Sequence, residues 1–330
     1  MKTLQLLLAA CASAYSLSGI AETAPAPAPA MSPGATVEIP QSSGKFDFLR
    51  VDGKRRRLLA AHENDGTADY VDLKTHSLLA RLKIGGVVDT AVDPESKFYY
   101  LSVQGGERVA VVDAASLREV NSIKMPGPTD AILYEPKNHL VYVTHDDGTD
   151  VWVIDPQSAK VVATIAIPGV PEFMVYDDAA DRIYLNIKNK NVVAVINPVG
   201  NSVVAQWPTA PAQLPHGLAL DSNHHRIFAA GGNGKLVVID TKSGAVTSSV
   251  DITSKVDQIA FDAAGGNLYC AGTGKMSVLR ATGDQLTSLG DLSTAATARN
   301  VAIDPASRWV WTTYTDGKSS FARAWMPPQQ

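Results

Sequence analysis

"VPEFMVYDDAADRIYLNIKNKNVVAVINP", residues 170–198, contains three apolar runs and no helical periodicity. Phe173-Met174-Val175-Tyr176 stops at an acid, Asp177. A polar turn leads to Ile183-Tyr184-Leu185, and a Lys/Asn loop leads on to Val192-Val193-Ala194-Val195-Ile196. Short runs rich in β-branched and aromatic residues, bounded by Asp, Asn and Pro, read as strands. The stretch is therefore a string of strands joined by tight turns.

The same grammar recurs along the chain. An acid closes an apolar run at Asp52, Asp93, Glu135, Asp177, Asp221, Asp262 and Asp304, at spacings of 41, 42, 42, 44, 41 and 42 residues. After each acid come a turn and a second strand ("FYYLSV", "LVYVTH", "RIFAAG"). A Gly/Asn/Asp loop and a third strand follow ("VAVVD", "VWVID", "LVVID"), then a fourth such as "VVATIAI". Four short strands at this period form the blade of a β-propeller. Turns this short leave no room for crossover helices, which excludes a parallel α/β sheet. The expected fold is all-β, a seven-bladed β-propeller of four-stranded antiparallel blades. The seventh copy ends one strand short, and an unpaired edge must be covered. "ATVEIP", residues 35–40, precedes the first blade without a partner there, so the N-terminal strand is expected to close the last blade.

The runs "VVDAASLREVNSIKMPG", "VWVIDPQSAKVVATIAIPG" and "LVVIDTKSGAVTSSV" resemble the YVTN-type β-propeller repeat. Over about 290 residues the chain is similar to secreted proteins of the YncE family. The resemblance implies a propeller and export but no single chemistry, because this repeat occurs in binding proteins, surface proteins and lactonase-like enzymes. The family pattern often places a cysteine pair in a "WPxAPC" segment and at a strand end of the fifth blade. This chain has Ala212 and Gly231 there, so no function relying on that pair is implied.

Residues 1–21 read as a signal peptide: Lys2, an apolar run from Leu4 to Ile20, and small residues before a cut after Ala21. Leu8-Ala9-Ala10-Cys11 also resembles a lipobox, which would make Cys11 a lipid anchor. Residues 22–34 form an Ala/Pro-rich linker, extended by its prolines, and residues 35–330 form the propeller. The expected location is periplasmic or secreted, with lipid anchoring as the alternative. No later run has the roughly 18 apolar residues of a transmembrane helix. A net charge of −4 offers no general attraction for polyanions, so nucleic acid is not expected as a partner; Arg55, Arg56 and Arg57 read as a solvated local cluster. Cys270, the one cysteine beyond the signal, sits in an apolar run and reads as a buried thiol.

Propeller topology puts the heads of the inner strands and the loops between second and third strands on one face. Five residues before each repeat acid stand Asp47, Val88, Asp130, Glu172, His216, Asp257 and Arg299, a ring with six ionisable members. His62 and His145 each lie ten residues after their acid, and Asn186 ends the second strand of the fourth blade. The candidate channel-mouth set is thus His62, Asp130, His145, Glu172, Asn186, His216, Asp257 and Arg299. Glu172, His216 and Asp257 are the candidate ligands for a divalent metal ion. Gluconolactonase-type propellers resemble this in using carboxylates and Asn around a cation. Gly-x-Ser-x-Gly, phosphate-binding Gly-rich loops and C-x-x-C-H are all absent. The leading expectation is an exported binding or interaction protein whose polar funnel receives a small molecule, metal or protein partner. The alternative is a metal-dependent hydrolase or lactonase using the mouth carboxylates and histidines.

Overall fold

The structure, a computed structural model, describes residues 31–327 except 94, 96 and 284. The expected signal peptide 1–21, linker residues 22–30 and Cys11 lie outside the described residues. Among the described residues twenty-eight strands form seven four-stranded antiparallel sheets. Each innermost strand contacts the next around the ring, and that of the first blade contacts that of the seventh, so the sheets stand radially about one axis.

The fourth blade shows why the sequence folds this way. Its strands are Pro171–Asp177, Arg182–Ile187, Val192–Asn197 and Ser202–Pro208. The two middle strands are buried almost end to end because neighbouring blades cover both faces, which is what their continuous apolar runs demand. The outermost strand alternates exposed and half-buried residues, as an edge with one solvated side does. In six blades the register between third and outermost strands shifts at an equivalent place, Val195/Ile196 in the fourth. Such bulges twist an edge away from unwanted pairing.

The ring closes as expected, with one change of boundary. The N-terminal strand is Ser32–Ile39, starting ahead of residue 35, and it pairs antiparallel with Ser320–Met326 through Val37↔Ala322 and Ile39↔Ser320. The seventh blade's inner strand is only Ala302–Ile303.

The repeat acids are structural. All seven are buried, between 0% and 7% exposed. Each accepts backbone N–H groups from the turn that follows it, as Glu135 does from Lys137 (2.6 Å) and Asn138 (3.0 Å). Several also accept from a neighbouring blade: Tyr99 donates to Asp52 (2.7 Å), Ser222 to Asp177 (2.7 Å) and Arg308 to Asp262 (2.8 Å). One carboxylate thereby fixes a turn and ties two blades, and its burial is offset by charge-assisted bonds. The Arg55–Arg57 cluster follows the same logic, and a solvated charge run is not what the structure shows. Arg55 pairs with Asp52 (3.5 Å), Arg56 with Asp304 of the seventh blade, and Arg57 donates to the Ala114 carbonyl of the second. Cys270 is fully buried, and burial pushes its thiol up. Among the described residues no helix is long and apolar enough to cross a membrane.

Candidate functional site

A bulge shapes the heads of four inner strands. The register between first and second strands shifts between Val87 and Asp89, Thr129 and Ile132, Pro171 and Met174, and Pro215 and Leu218. Asp130, Glu172 and His216 each fall inside one of these irregular steps. A bulge breaks the strict up-down alternation of a strand and re-aims the side chain it carries.

At the mouth, Glu172 is held from two sides. Lys188 Nζ lies 2.5 Å from its Oε1, and His216 Nδ1 lies 3.1 Å from its Oε2. Burial alone would raise this carboxyl, but the imidazole and ammonium outweigh it and hold Glu172 below its usual value. On the opposite side Arg299 Nη2 reaches Asp257 Oδ2 at 3.3 Å. Lys45 Nζ bridges Asp47 (3.1 Å) and Glu63 (3.0 Å). Lys188, in the short turn after the second strand of the fourth blade, was not legible as a site residue; only its place just past a strand end hinted at it.

Three expected mouth residues do other work. His62 is fully buried: Nδ1 meets Asp69 Oδ2 at 2.9 Å, and the ring stacks on Phe46 with centroids 3.8 Å apart. Arg81 joins Asp69 (3.2 Å) and donates to the Pro40 carbonyl (2.8 Å). This group clasps the chain where it passes from the closing strand to the first blade. His145 stacks on Trp152 of its own blade at 4.6 Å, with Asp150 3.6 Å from its Nδ1. Both sit on a second strand, one strand spacing of about 4.8 Å outward from the axis. Asn186 is fully buried and donates from Nδ2 to the carbonyls of His216 (2.8 Å) and Gly217 (3.1 Å). It positions the fifth blade's strand head and is closed to solvent.

Below the mouth the channel has a floor. Arg50 makes a two-pronged pair with Asp89, Nε to Oδ1 at 2.8 Å and Nη2 to Oδ2 at 2.6 Å, and lies 4.2 Å above the Phe173 ring. Phe48 packs edge-on against Phe173. Gln258 accepts from Leu49 N–H (3.0 Å) and donates to Leu49 C=O (2.8 Å), bridging the sixth and first blades.

The remaining mouth acid stands apart. Among the described residues no ion pair or hydrogen bond reaches the Asp130 carboxyl. Burial, then the charges of Glu172, Asp47, Asp146 and Asp89, push it well above its usual value. Asp47 is pushed up to about 7: burial raises it, Lys45 opposes, and Asp257 and Glu63 add to the rise. These acids repel one another around the opening. The consequence for stability has a definite sign. A carboxyl raised in the folded state keeps its proton where the unfolded chain has lost it, above about pH 4. Folding then takes up protons, and the stability present below the unfolded value is lost as pH rises through the folded one. Asp130→Asn should therefore raise the melting temperature by several degrees at pH 8, at about 2–4 °C per kcal/mol, and leave it unchanged at pH 3.5. Equal melting temperatures at pH 8 would contradict this assignment of Asp130.

Of the expected metal trio, Glu172 and His216 pair with each other, while Asp257 is bound to Arg299. Among the described residues no three His, Cys, Asp or Glu side chains converge as a metal-holding group. With a lysine already on Glu172, these residues do not fit a divalent ion as they stand.

No family model matches the chain, and no curated protein matches it. Among solved structures it is similar to the Kuenenia stuttgartiensis hydrazine synthase, with a TM-score of 0.72 and 15% identity over 85% of this chain and 97% of that chain. At that identity the likeness is one of fold alone. The chain is a seven-bladed β-propeller closed by its N-terminal strand, with an ionisable ring at one end of its axis.

Proposed function

We propose that this protein is an exported binding propeller of the YVTN-repeat, YncE-like kind, and that its channel mouth receives a positively charged group on a small molecule or a protein partner. The observation that carries the reading is Asp130, a carboxyl with no ion-pair or hydrogen-bond partner among the described residues, crowded by Asp47, Glu172 and Asp146 while the nearby Lys188 is bound to Glu172. An incoming ammonium would relieve that repulsion and draw Asp130 and Asp47 into their charged forms. The committed pairs Lys188–Glu172 and Arg299–Asp257 favour binding over metal-assisted hydrolysis, which needs those carboxylates for its ion. Export rests on residues 1–21.

Calorimetric titration of the mature chain with 1,4-diaminobutane at pH 7, in two buffers of different ionisation enthalpy, tests the reading. Saturable binding with proton release is expected, weaker at pH 5 and at high salt. Asp130→Asn should weaken it about tenfold or more. Binding absent at millimolar diamine, or indifferent to Asp130→Asn, would overturn it.

A further inference from the structure

Beneath the floor lies a second chamber of different chemistry. A cavity of about 540 Å³ is walled by the inner strands of the first, fourth, fifth, sixth and seventh blades. Its rim includes Ala263, Ala264 and Pro305, in turns between first and second strands, so it opens on the face opposite the mouth. Val51, Val175, Leu220, Phe261 and Ile303 line it and are only half-buried, one apolar side chain from each of those blades. Apolar surface facing a water-filled hole is unfavourable by about 25 cal/mol per Å², and a ligand that covers it recovers that energy. Small-molecule sites have this composition: about 300–1,000 Å³, mostly apolar, with a few placed polar groups.

The polar groups at the inner end are nearly all committed. Gln258 spends its carbonyl on Leu49 and Val301 N–H groups and its amide on the Leu49 carbonyl. Arg50 spends Nε and Nη2 on Asp89, and its Nη1 has no acceptor among the described residues. Asp89 is itself filled by Arg50 and by the N–H groups of Thr90 (2.7 Å) and Ile132 (3.1 Å). The chamber thus ends in a hydrogen-bond donor and offers no free acceptor there.

We propose that this lower chamber is a second binding site, for an apolar molecule tipped by one acceptor group, a carboxylate or carbonyl. The apolar body lies against Val51, Val175, Leu220 and Phe261, and the acceptor meets Arg50 Nη1. The site is independent of the mouth: the floor separates them, and their ligands differ in polarity.

Decanoate titrated into the mature chain, followed by displacement of 1-anilinonaphthalene-8-sulfonate fluorescence, tests the proposal. One saturable site per chain is expected. Leu220→Trp fills the lumen and should weaken decanoate binding about tenfold or more, with an unchanged circular dichroism spectrum showing that the fold persists. Arg50→Lys keeps a cation for Asp89 but removes the planar fork, and should weaken decanoate more than decanol. Absence of saturable binding, or binding that survives Leu220→Trp in a folded protein, would overturn the proposal. Diamine binding by Leu220→Trp is expected to persist, so failure of this site and failure of the mouth are separately visible.

Discussion

Arg50→Met is expected to destabilise the propeller by about 3–5 kcal/mol, because it leaves the Asp89 carboxylate buried without its cation. Asp89 is fully buried, and the N–H groups of Thr90 and Ile132 that remain carry partial charges only. The substitution also removes the guanidinium stacked 4.2 Å over Phe173. Since the pair joins the inner strands of the first and second blades and reaches a third through Ile132, the loss falls on the centre of the ring. Urea unfolding measures it directly. Arg50→Met combined with Asp89→Leu should recover part of the loss, since no lone charge is then buried; the unsatisfied N–H groups keep the recovery incomplete. A loss below about 1 kcal/mol for the single variant would contradict this role of the Arg50–Asp89 pair.

A chain beginning at residue 41 should fare worse. It lacks Ser32–Ile39, so Ser320–Met326 becomes an open edge with unpaired backbone groups. Buried Val37 and Ile39 are lost from the core they share with Trp311, Ala322 and Ala324. Each large buried side chain removed costs about 2–5 kcal/mol, and a domain has only about 5–15 in total. Loss of the cooperative melt, or aggregation on expression, is expected. A chain beginning at Met31 is the control and should keep a cooperative melt. If both melt alike, closure by the N-terminal strand contributes little.

The fold was legible because its signal repeats. An acid every 41 to 44 residues, followed by turn residues and two apolar runs, has one physical explanation in a ring of identical sheets. What made the acids regular is now clear: each holds a turn, and several tie a neighbouring blade, so the spacing records packing. The site was legible in part. Strand heads at a fixed offset from the acids must gather around the axis, and Glu172 and His216 do meet. Lys188 was invisible because a long flexible side chain reaches back from a turn, and sequence spacing says nothing of that reach. His62 was misplaced because a polar residue at a strand end looks solvent-facing until Phe46 and the Asp69–Arg81 pair are seen to enclose it. In the second blade the offset falls on buried Val88, while the working acid is its neighbour Asp89, next to the bulge. A bulge moves a side chain by one position without leaving a mark in composition.

The account depends most on a crowded, under-neutralised carboxyl at Asp130. Carbon-detected NMR of the chain from Met31 onward, following the Asp130 side-chain carboxyl through a pH titration with and without 1,4-diaminobutane, measures that state itself. The structure predicts titration well above the usual aspartate value of about 3.9 in the free protein and a downward shift with the diamine present. An Asp130 that titrates at the ordinary value, unmoved by the amine, would contradict it.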